Sequence, residues 1–143
     1  MTGSPARSRL LPRPSSVTRP FWDAARRHEL VLQWCATCAE HVFYPRSTCP
    51  RCGSGALTWR RSAGLGTIHT FTVARRATHR AFADRVPYVI AIVELGEGPH
   101  LTTEIVGVDP DAVRIGARVA VEFEDHDEVS VPVFRPVVSV GAP

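Results

Sequence analysis

The 143-residue sequence has no long hydrophobic run. Its longest uninterrupted apolar stretch covers residues 88–93, whereas about 20 residues are needed to cross a bilayer. The N-terminus has no apolar signal-peptide core, because residues 1–18 combine proline, serine and arginine with no acidic residue. These absences predict a cytoplasmic protein with no membrane segment. The length suits one compact domain or two very small ones, and the composition of residues 1–18 predicts a flexible arm.

The sequence also lacks the motifs that carry most enzyme chemistry. It contains no HExxH, no GxSxG and no phosphate-binding loop, and Gly64-Leu65-Gly66 is followed by a strand pattern with no third glycine at dinucleotide-binding spacing. The six histidines are scattered, and none stands at a recognisable spacing from a nucleophile or a pair of carboxylates. We therefore expect no catalytic residue in this chain.

Lysine is absent, so all 17 basic residues are arginine, and charge is unevenly divided along the chain. Residues 1–85 have a net charge of +10, whereas residues 86–143 have a net charge of −7. A basic half suits nucleic acid or a phosphorylated ligand, and it equally suits a solvated surface that faces a neutralising partner. The acidic second half, with few aromatic residues for base stacking, makes nucleic-acid binding the weaker alternative.

Four cysteines fall within eighteen residues, as two Cys-x-x-Cys pairs. Each pair suits a tight turn that presents two thiolates to one tetrahedral ion. A module of about 30 residues buries too little apolar surface to fold unaided, and a structural metal supplies the missing stability. The spacing predicts a structural zinc site, for which iron is the alternative, with four ligands: Cys35, Cys38, Cys49 and Cys52.

The remaining pattern is mainly β. Pro20, followed by Phe21, Ala24, Ala25 and His28, predicts a short N-terminal helix with one mostly apolar face. Short strands are predicted around the cysteines over 30–34, 42–44 and 57–60, and five more over 67–74, 88–95, 101–108, 118–124 and 130–138. Five strands with a helical turn between the third and the fourth are typical of an OB barrel, although an SH3-like barrel or an open sandwich fits the periodicity nearly as well.

These patterns divide the chain into five parts. They are a flexible arm over 1–18, a helix and lead-in strand over 19–33, a zinc ribbon over 34–62, a barrel over 63–139 and a tail over 140–143. At the head of the short helix, Phe21 and Trp22 either anchor it to a partner protein or cover this protein's own core.

The loop between the first two barrel strands is rich in arginine. Guanidinium groups match phosphate geometry, and in OB barrels the loop after the first strand borders the ligand face. The candidates for binding a phosphate-bearing ligand are therefore Arg75, Arg76, Arg80 and Phe82, and the alternative is a solvated loop.

The order of these motifs resembles a known family. The motifs are Phe21-Trp22, the two cysteine turns, Tyr44-Pro45-Arg46, Gly64-Leu65-Gly66-Thr67-Ile68, Thr70-Phe71-Thr72-Val73, Pro87-Tyr88, Val93-Glu94-Leu95, Gly116 and Val133-Phe134-Arg135-Pro136. Together they resemble the acyl-CoA-associated family, long described as a domain of unknown function, that joins an N-terminal helix and a rubredoxin-like zinc ribbon to a C-terminal OB fold. The likeness covers residues 20–138. Glu104 departs from it, because a neutral polar residue is expected there.

The resemblance implies a function without catalysis. Members of this family are non-catalytic subunits of hetero-oligomers with thiolase-fold enzymes or hot-dog-fold enoyl-CoA hydratases, in acyl-CoA, polyketide-like or steroid side-chain metabolism. They help to hold the CoA thioester in the partner's active site. By position, the four cysteines match the family's metal ligands, and Phe21-Trp22 match its partner-facing helix. A free-standing acyl-CoA-binding protein is a further alternative.

Overall fold

In the computed structural model, which describes residues 9–137, the first regular element is helix α1 over Arg19–Arg26. Proline lies in its first turn, where a missing N–H costs no hydrogen bond. The buried face consists of Phe21, Ala24 and Ala25, as the apolar spacing predicted, whereas His28 lies beyond the end of the helix and is exposed. Across residues 9–137, none of the helices has the length and apolar character needed to span a bilayer.

A three-stranded antiparallel sheet follows the helix. Its strands are β1 (Val31–Cys35), β2 (Glu40–Val42) and β3 (Leu57–Arg61), in the order β2-β1-β3. The second strand covers Glu40–Val42, so the bounds of the strand predicted over 42–44 were wrong. Phe43 and Tyr44 lie beyond this strand, and the Phe43 ring packs 5.7 Å from that of Phe21 in α1.

The second half of the described chain forms a closed five-stranded barrel. Its strands are β4 (Leu65–Ala74), β5 (Tyr88–Leu95), β6 (His100–Ile105), β7 (Arg118–Asp125) and β8 (Ser130–Pro136), in the order β4-β5-β6-β8-β7. The barrel closes where β4 pairs with β7, and β6 meets β8 in parallel. The predicted helical turn between the third and fourth barrel strands is a 3-10 turn over Pro110–Ala112. This architecture confirms the OB barrel.

The helix, the base of the sheet and the barrel share one apolar core. Phe21 from α1 and Leu30 and Leu32 from the region of β1 belong to the same buried cluster as Ile68 and Phe134 of the barrel. Burying all of them together removes more apolar surface from water than either half could remove alone. The boundaries predicted near residues 33 and 63 therefore separate structural elements that share a single core.

The junction between sheet and barrel is held by one carboxylate. Glu97, in the turn between β5 and β6, accepts hydrogen bonds from the Ser62 hydroxyl (2.9 Å) and the Ala63 backbone N–H (2.8 Å). Gly66 follows, where an added Cβ would lie 2.5 Å from the Glu94 carbonyl oxygen. The close approach of β4 to β5 therefore requires glycine at this position.

Gln33 fastens the loop after β2 to the centre of the sheet. Its buried side chain donates to the Arg46 carbonyl oxygen (2.8 Å) and accepts from the Arg46 backbone N–H (2.7 Å). We expect Gln33→Leu to cost about 1–3 kcal/mol, because both backbone groups lose their partner. The melting temperature should fall by about 3–10 °C in a thermal scan.

The matched control for Gln33 is Thr58→Ala, an exposed position on β3 of the same sheet. Its melting temperature should stay near that of the original protein, since exposed substitutions change stability little. If the melting temperature of Gln33→Leu equals that of the control, water replaces the lost hydrogen bonds and the predicted role of Gln33 is wrong.

Candidate metal centre and surrounding surfaces

The four cysteine Sγ atoms lie within 4.8 Å of one another. Cys35 Sγ is 3.7 Å from Cys52 Sγ, and Cys38 Sγ is 3.9 Å from Cys49 Sγ. A tetrahedral zinc ion with Zn–S bonds of about 2.3 Å places its sulfur atoms about 3.8 Å apart. Two of the sulfur pairs have this spacing and none is more than 4.8 Å apart, so the cluster has the dimensions of a zinc site and brings all four predicted ligands together.

Two similar backbone turns build the cluster. In the first, the Ala39 N–H donates to the Cys35 carbonyl oxygen (2.8 Å); in the second, the Gly53 N–H donates to that of Cys49 (2.8 Å). Gly53 has a φ of 76° and Ala39 a φ of 54°, so alanine adopts the left-handed conformation that glycine adopts in the second turn. The absence of glycine from the first turn has not changed its shape.

Backbone N–H groups also favour thiolate at this cluster. The N–H groups of Cys52 and Arg51 lower the pKa of Cys49 to about 7, because they donate to its sulfur. Hydrogen bonding to Cys52 raises the pKa of Cys38 to about 12, because the Cys38 thiol keeps its proton to donate to the neighbouring sulfur atom. A divalent cation binds all four thiolates and releases their protons.

The apolar contacts of the cysteine module are few. Its separate buried cluster consists of Cys35, Val42 and Cys49, with Cys38 and Leu57 packed against it. Three of these five residues are members of the sulfur cluster, so little remains to hold the module once the sulfur atoms are unlinked. An ion bound by four protein ligands has no open position for substrate, so its contribution is structural.

The two aromatic residues predicted to face a partner have different environments. Phe21 is only 5% exposed and belongs to the protein's own core, which corrects its assignment to a partner interface. The Phe21 ring is buried because the start of β1 and the barrel both pack against α1. Trp22 is half-buried, with its ring edge-on to Phe21 at 4.9 Å between centroids.

The predicted phosphate-binding loop separates into exposed and buried arginines. Arg75, Arg76 and Arg80 are exposed, and Arg75 pairs with the exposed Asp111 at 3.0 Å. Phe82 is half-buried and stacks on Tyr88 at 5.7 Å between centroids. The loop thus presents three cations to solvent beside one anchored aromatic ring.

Arg85, at the end of the same loop, is 1% exposed. Its Nη2 donates to Glu104 at 2.5 Å and to Glu124 at 3.2 Å. Burial raises the pKa of Glu124, but the hydrogen bond with His126 and the charge of Arg85 outweigh it, so the net pKa is lowered. Glu104, which departs from the family pattern, is therefore one of the two counterions of a buried arginine.

Arg9 joins this buried group from the segment predicted to be a flexible arm. Its Nη1 lies 3.3 Å from Glu124 and 3.9 Å from Glu104. The ion-pair cluster was missed from sequence because its members are separated by up to 115 residues. A signal was present in the acidic residues at positions 104 and 124, each inside a predicted strand, but strand patterns do not reveal partners.

A cavity of about 440 Å³ lies beside α1 and was also missed from sequence. Helix α1, the loop after β2, the turn before β5 and three barrel strands all border it. We call it the aromatic cavity, after its six aromatic lining residues: Phe21, Trp22, Phe43, Tyr44, Phe82 and Tyr88. It connects the partner-facing and phosphate-binding candidates, because Trp22 and Phe82 both line it.

Comparison with known proteins agrees with both halves of this architecture. The family model for the rubredoxin-like zinc ribbon domain of ChsH2 matches residues 22–58, and that for the C-terminal OB-fold domain of ChsH2 matches residues 59–124. The chain belongs to the ChsH2 (DUF35) family. The four cysteines of this ChsH2-family chain accordingly form a structural zinc site.

Among solved structures, the ChsH2-family chain is similar to one described as "Ltp2-ChsH2(DUF35) aldolase". The TM-score is 0.81 at 37% identity, over 90% of this chain and all of that one. A DUF35 domain-containing scaffold protein of Methanothermobacter thermautotrophicus is 39% identical over 110 residues, which are 76% of this chain and 82% of that protein.

Longer relatives carry hydratase names. A probable enoyl-CoA hydratase alpha subunit of Thermomonospora curvata is 41% identical over 132 residues. A 3-oxo-4,17-pregnadiene-20-carboxyl-CoA hydratase alpha subunit of Mycobacterium tuberculosis is 35% identical over 129 residues. These alignments cover 90% and 87% of this chain but only 41% and 40% of the relatives, so the chain spans about two fifths of their length.

Proposed function

We propose that this chain is a non-catalytic accessory subunit of an acyl-CoA enzyme, a thiolase-fold acyltransferase or retro-aldolase. The observation that carries the proposal is the similarity, over nine tenths of the chain, to a structure whose name joins a DUF35 protein to an aldolase. The scaffold name of a relative of nearly the same length supports the same role. The pregnadiene carboxyl-CoA named for another relative supports a steroid side-chain thioester as substrate class.

The role needs a surface for the enzyme and a surface for the thioester. Trp22 is the proposed contact with the enzyme, together with Tyr44, whose side chain is half exposed near it. Phe21 supports Trp22 from inside the core. The exposed arginines of the loop, Arg75, Arg76 and Arg80, are proposed to bind the phosphate groups of CoA, because guanidinium groups bind phosphate in a bidentate manner.

A hot-dog-fold enoyl-CoA hydratase is the second candidate for the partner enzyme. The hydratase names of the longer relatives favour it. In both assignments this chain supplies surfaces and the partner supplies the chemistry. The zinc ion holds the ribbon in one conformation, and the ribbon in turn positions the loop that carries Phe43 and Tyr44.

The proposal is tested by affinity capture of the tagged protein from its native cells at moderate salt. We expect an acyl-CoA enzyme in near-equal amount, and its fold identifies the partner class. Trp22→Ala should reduce the captured enzyme at least about tenfold, since a central aromatic residue often contributes 2 kcal/mol or more to an interface. Recovery of the protein alone, or with nucleic acid, would contradict the proposal.

The loop arginines are tested on the captured complex. We expect the triple variant Arg75→Ala, Arg76→Ala, Arg80→Ala to raise KM for the CoA thioester about tenfold or more while kcat changes little, because the lost hydrogen bonds bind phosphate before and during the reaction. The control removes three exposed arginines elsewhere: Arg13, Arg46 and Arg118. An equal rise of KM in both triple variants would show a general effect of charge.

A further inference from the structure

The aromatic cavity has the size and lining of a small-molecule site. Its volume of about 440 Å³ falls within the range of about 300–1,000 Å³ found for ligand pockets. Besides the six aromatic rings, aliphatic side chains line it, among them Ile90 of β5, Leu101 of β6 and Val133 of β8. Such a lining favours the burial of an apolar group over that of a charged one.

The walls of the cavity are held in place by contacts among themselves. The Phe21 ring meets Trp22 at 4.9 Å and Phe43 at 5.7 Å, and Phe82 stacks on Tyr88 at 5.7 Å. Rings fixed in this way lose little freedom when a ligand binds, so the site is preorganised. The cavity opens to solvent beside Tyr44 and Ile90, which are 50% and 37% exposed.

Charged residues border the cavity in two groups. Arg9 and Glu104 line it, and they belong to the neutralised buried ion-pair cluster. Phe82 also lines it and ends the turn that begins at the exposed Arg80, in the arginine-rich loop. A molecule with an apolar body and an anionic end therefore finds apolar walls in the cavity and exposed positive charge at the adjoining loop.

We propose that the aromatic cavity binds the apolar body of an amphipathic organic anion. That body is a bulky acyl group, and the phosphate-bearing end of the same molecule lies at the arginine-rich loop. The identity of that anion as an acyl-CoA thioester rests on the proposed function. It adds that this chain itself recognises the acyl group and favours bulky groups over small ones. The chain thereby contributes to substrate selection as well as to support of the enzyme.

The experiment compares decanoyl-CoA with acetyl-CoA, below the micelle concentration, on the isolated zinc-bound protein. Each buried methylene group strengthens binding about fourfold, so we expect decanoyl-CoA to bind about tenfold or more tighter in isothermal titration. Trp22 lines the cavity, so decanoyl-CoA should also change tryptophan fluorescence, and Trp22→Phe should remove that change. Equal affinities, or no detectable binding of decanoyl-CoA, would overturn the inference.

Two variants test the place of binding. Ile90→Lys and Thr102→Lys each put a long charged side chain at an exposed residue that lines the cavity, and both should abolish the preference for decanoyl-CoA. The matched control is Ile115→Lys, because Ile115 is 68% exposed and lies outside the cavity lining. A decanoyl preference that persists in both cavity variants would place the acyl group elsewhere and overturn the inference.

Capture of the enzyme separates this inference from the proposed function. If the original protein captures an acyl-CoA enzyme but does not prefer decanoyl-CoA, the accessory role stands and acyl recognition by this chain is wrong. If the protein prefers decanoyl-CoA but captures no enzyme, the accessory role fails and the cavity belongs to a free-standing acyl-CoA-binding protein.

Discussion

Replacing Cys49 with serine is expected to release the zinc ion and unfold the three-stranded sheet. Cys49 is 3% exposed, and its sulfur accepts the Arg51 backbone N–H at 3.4 Å. Structural zinc contributes about 10–16 kcal/mol to the folding of small zinc modules, whereas a whole domain is stable by only about 5–15 kcal/mol. The few apolar contacts of the cysteine module cannot replace that contribution.

Metal analysis and hydrogen exchange measure this outcome. The original protein should contain one zinc ion per chain, and its β1–β3 amides should exchange slowly. Cys49→Ser should contain much less zinc, and these amides should exchange within the dead time. Thr37→Ala is the control, because Thr37 lies between two ligands but makes only an exposed hydrogen bond to Ser54 (3.2 Å). A Cys49→Ser protein that retains one zinc ion and slow exchange would contradict the structural role.

The effect should extend into the barrel, because the core is shared. Leu30 directly precedes β1 and Leu32 lies within it. Both pack with Ile68 and Phe134 of the barrel. Loss of the sheet exposes these barrel contacts to water. We therefore expect the amides of β4 and β8 in Cys49→Ser to exchange faster as well, although less than those of β1.

Replacing Arg85 with methionine is expected to destabilise the protein by about 3–5 kcal/mol at pH 7, the cost of leaving buried charges without their partner. The Glu104 and Glu124 side chains are only 12% and 17% exposed, so water cannot solvate them fully. Arg9 remains 3.3 Å from Glu124 and 3.9 Å from Glu104, and His126 remains 2.9 Å from Glu124, but a single arginine cannot neutralise two carboxylates.

Urea denaturation measures this loss, and two further variants interpret it. The quadruple variant Arg9→Met, Arg85→Met, Glu104→Gln, Glu124→Gln should recover most of the stability, because it removes all four paired charges of the cluster and leaves no arginine without a carboxylate. Arg75→Ala is the exposed control, since both members of its ion pair with Asp111 are solvated, at 62% and 80% exposure, and such pairs contribute about 0–1 kcal/mol. An Arg85→Met variant as stable as Arg75→Ala would show that the buried cluster is readily solvated.

The sign of the pH effect follows from the same cluster. The net pKa of Glu124 is lowered in the folded protein, so its interactions stabilise the fold above the ordinary pKa of a glutamate. That contribution is lost as the pH falls through the lowered pKa. The stability difference between the original protein and Arg85→Met should therefore be larger at pH 7 than at pH 4.

Local patterns determined much of what the sequence predicts. The strand predicted over residues 88–95 is observed as β5, Tyr88–Leu95, because alternating burial is a property of neighbouring residues. The strand predicted over 42–44 is observed over Glu40–Val42, because pairing with β1 sets the bounds of β2. Phe43, the next residue, lies outside the sheet and packs against Phe21 of the helix. Short strands without alternation depend on their partners more than on their own residues.

The four zinc ligands, the mainly β class and the order of ribbon and barrel follow from local sequence patterns. Two Cys-x-x-Cys pairs specify a tetrahedral site because each turn is local, and strand periodicity specifies which faces are buried. Three features depend on the folded chain: Phe21 belongs to the core, Arg85 pairs with Glu104 and Glu124, and six aromatic residues surround one cavity. These contacts join residues far apart in the chain, and their geometry exists only after the barrel closes against the helix and the ribbon.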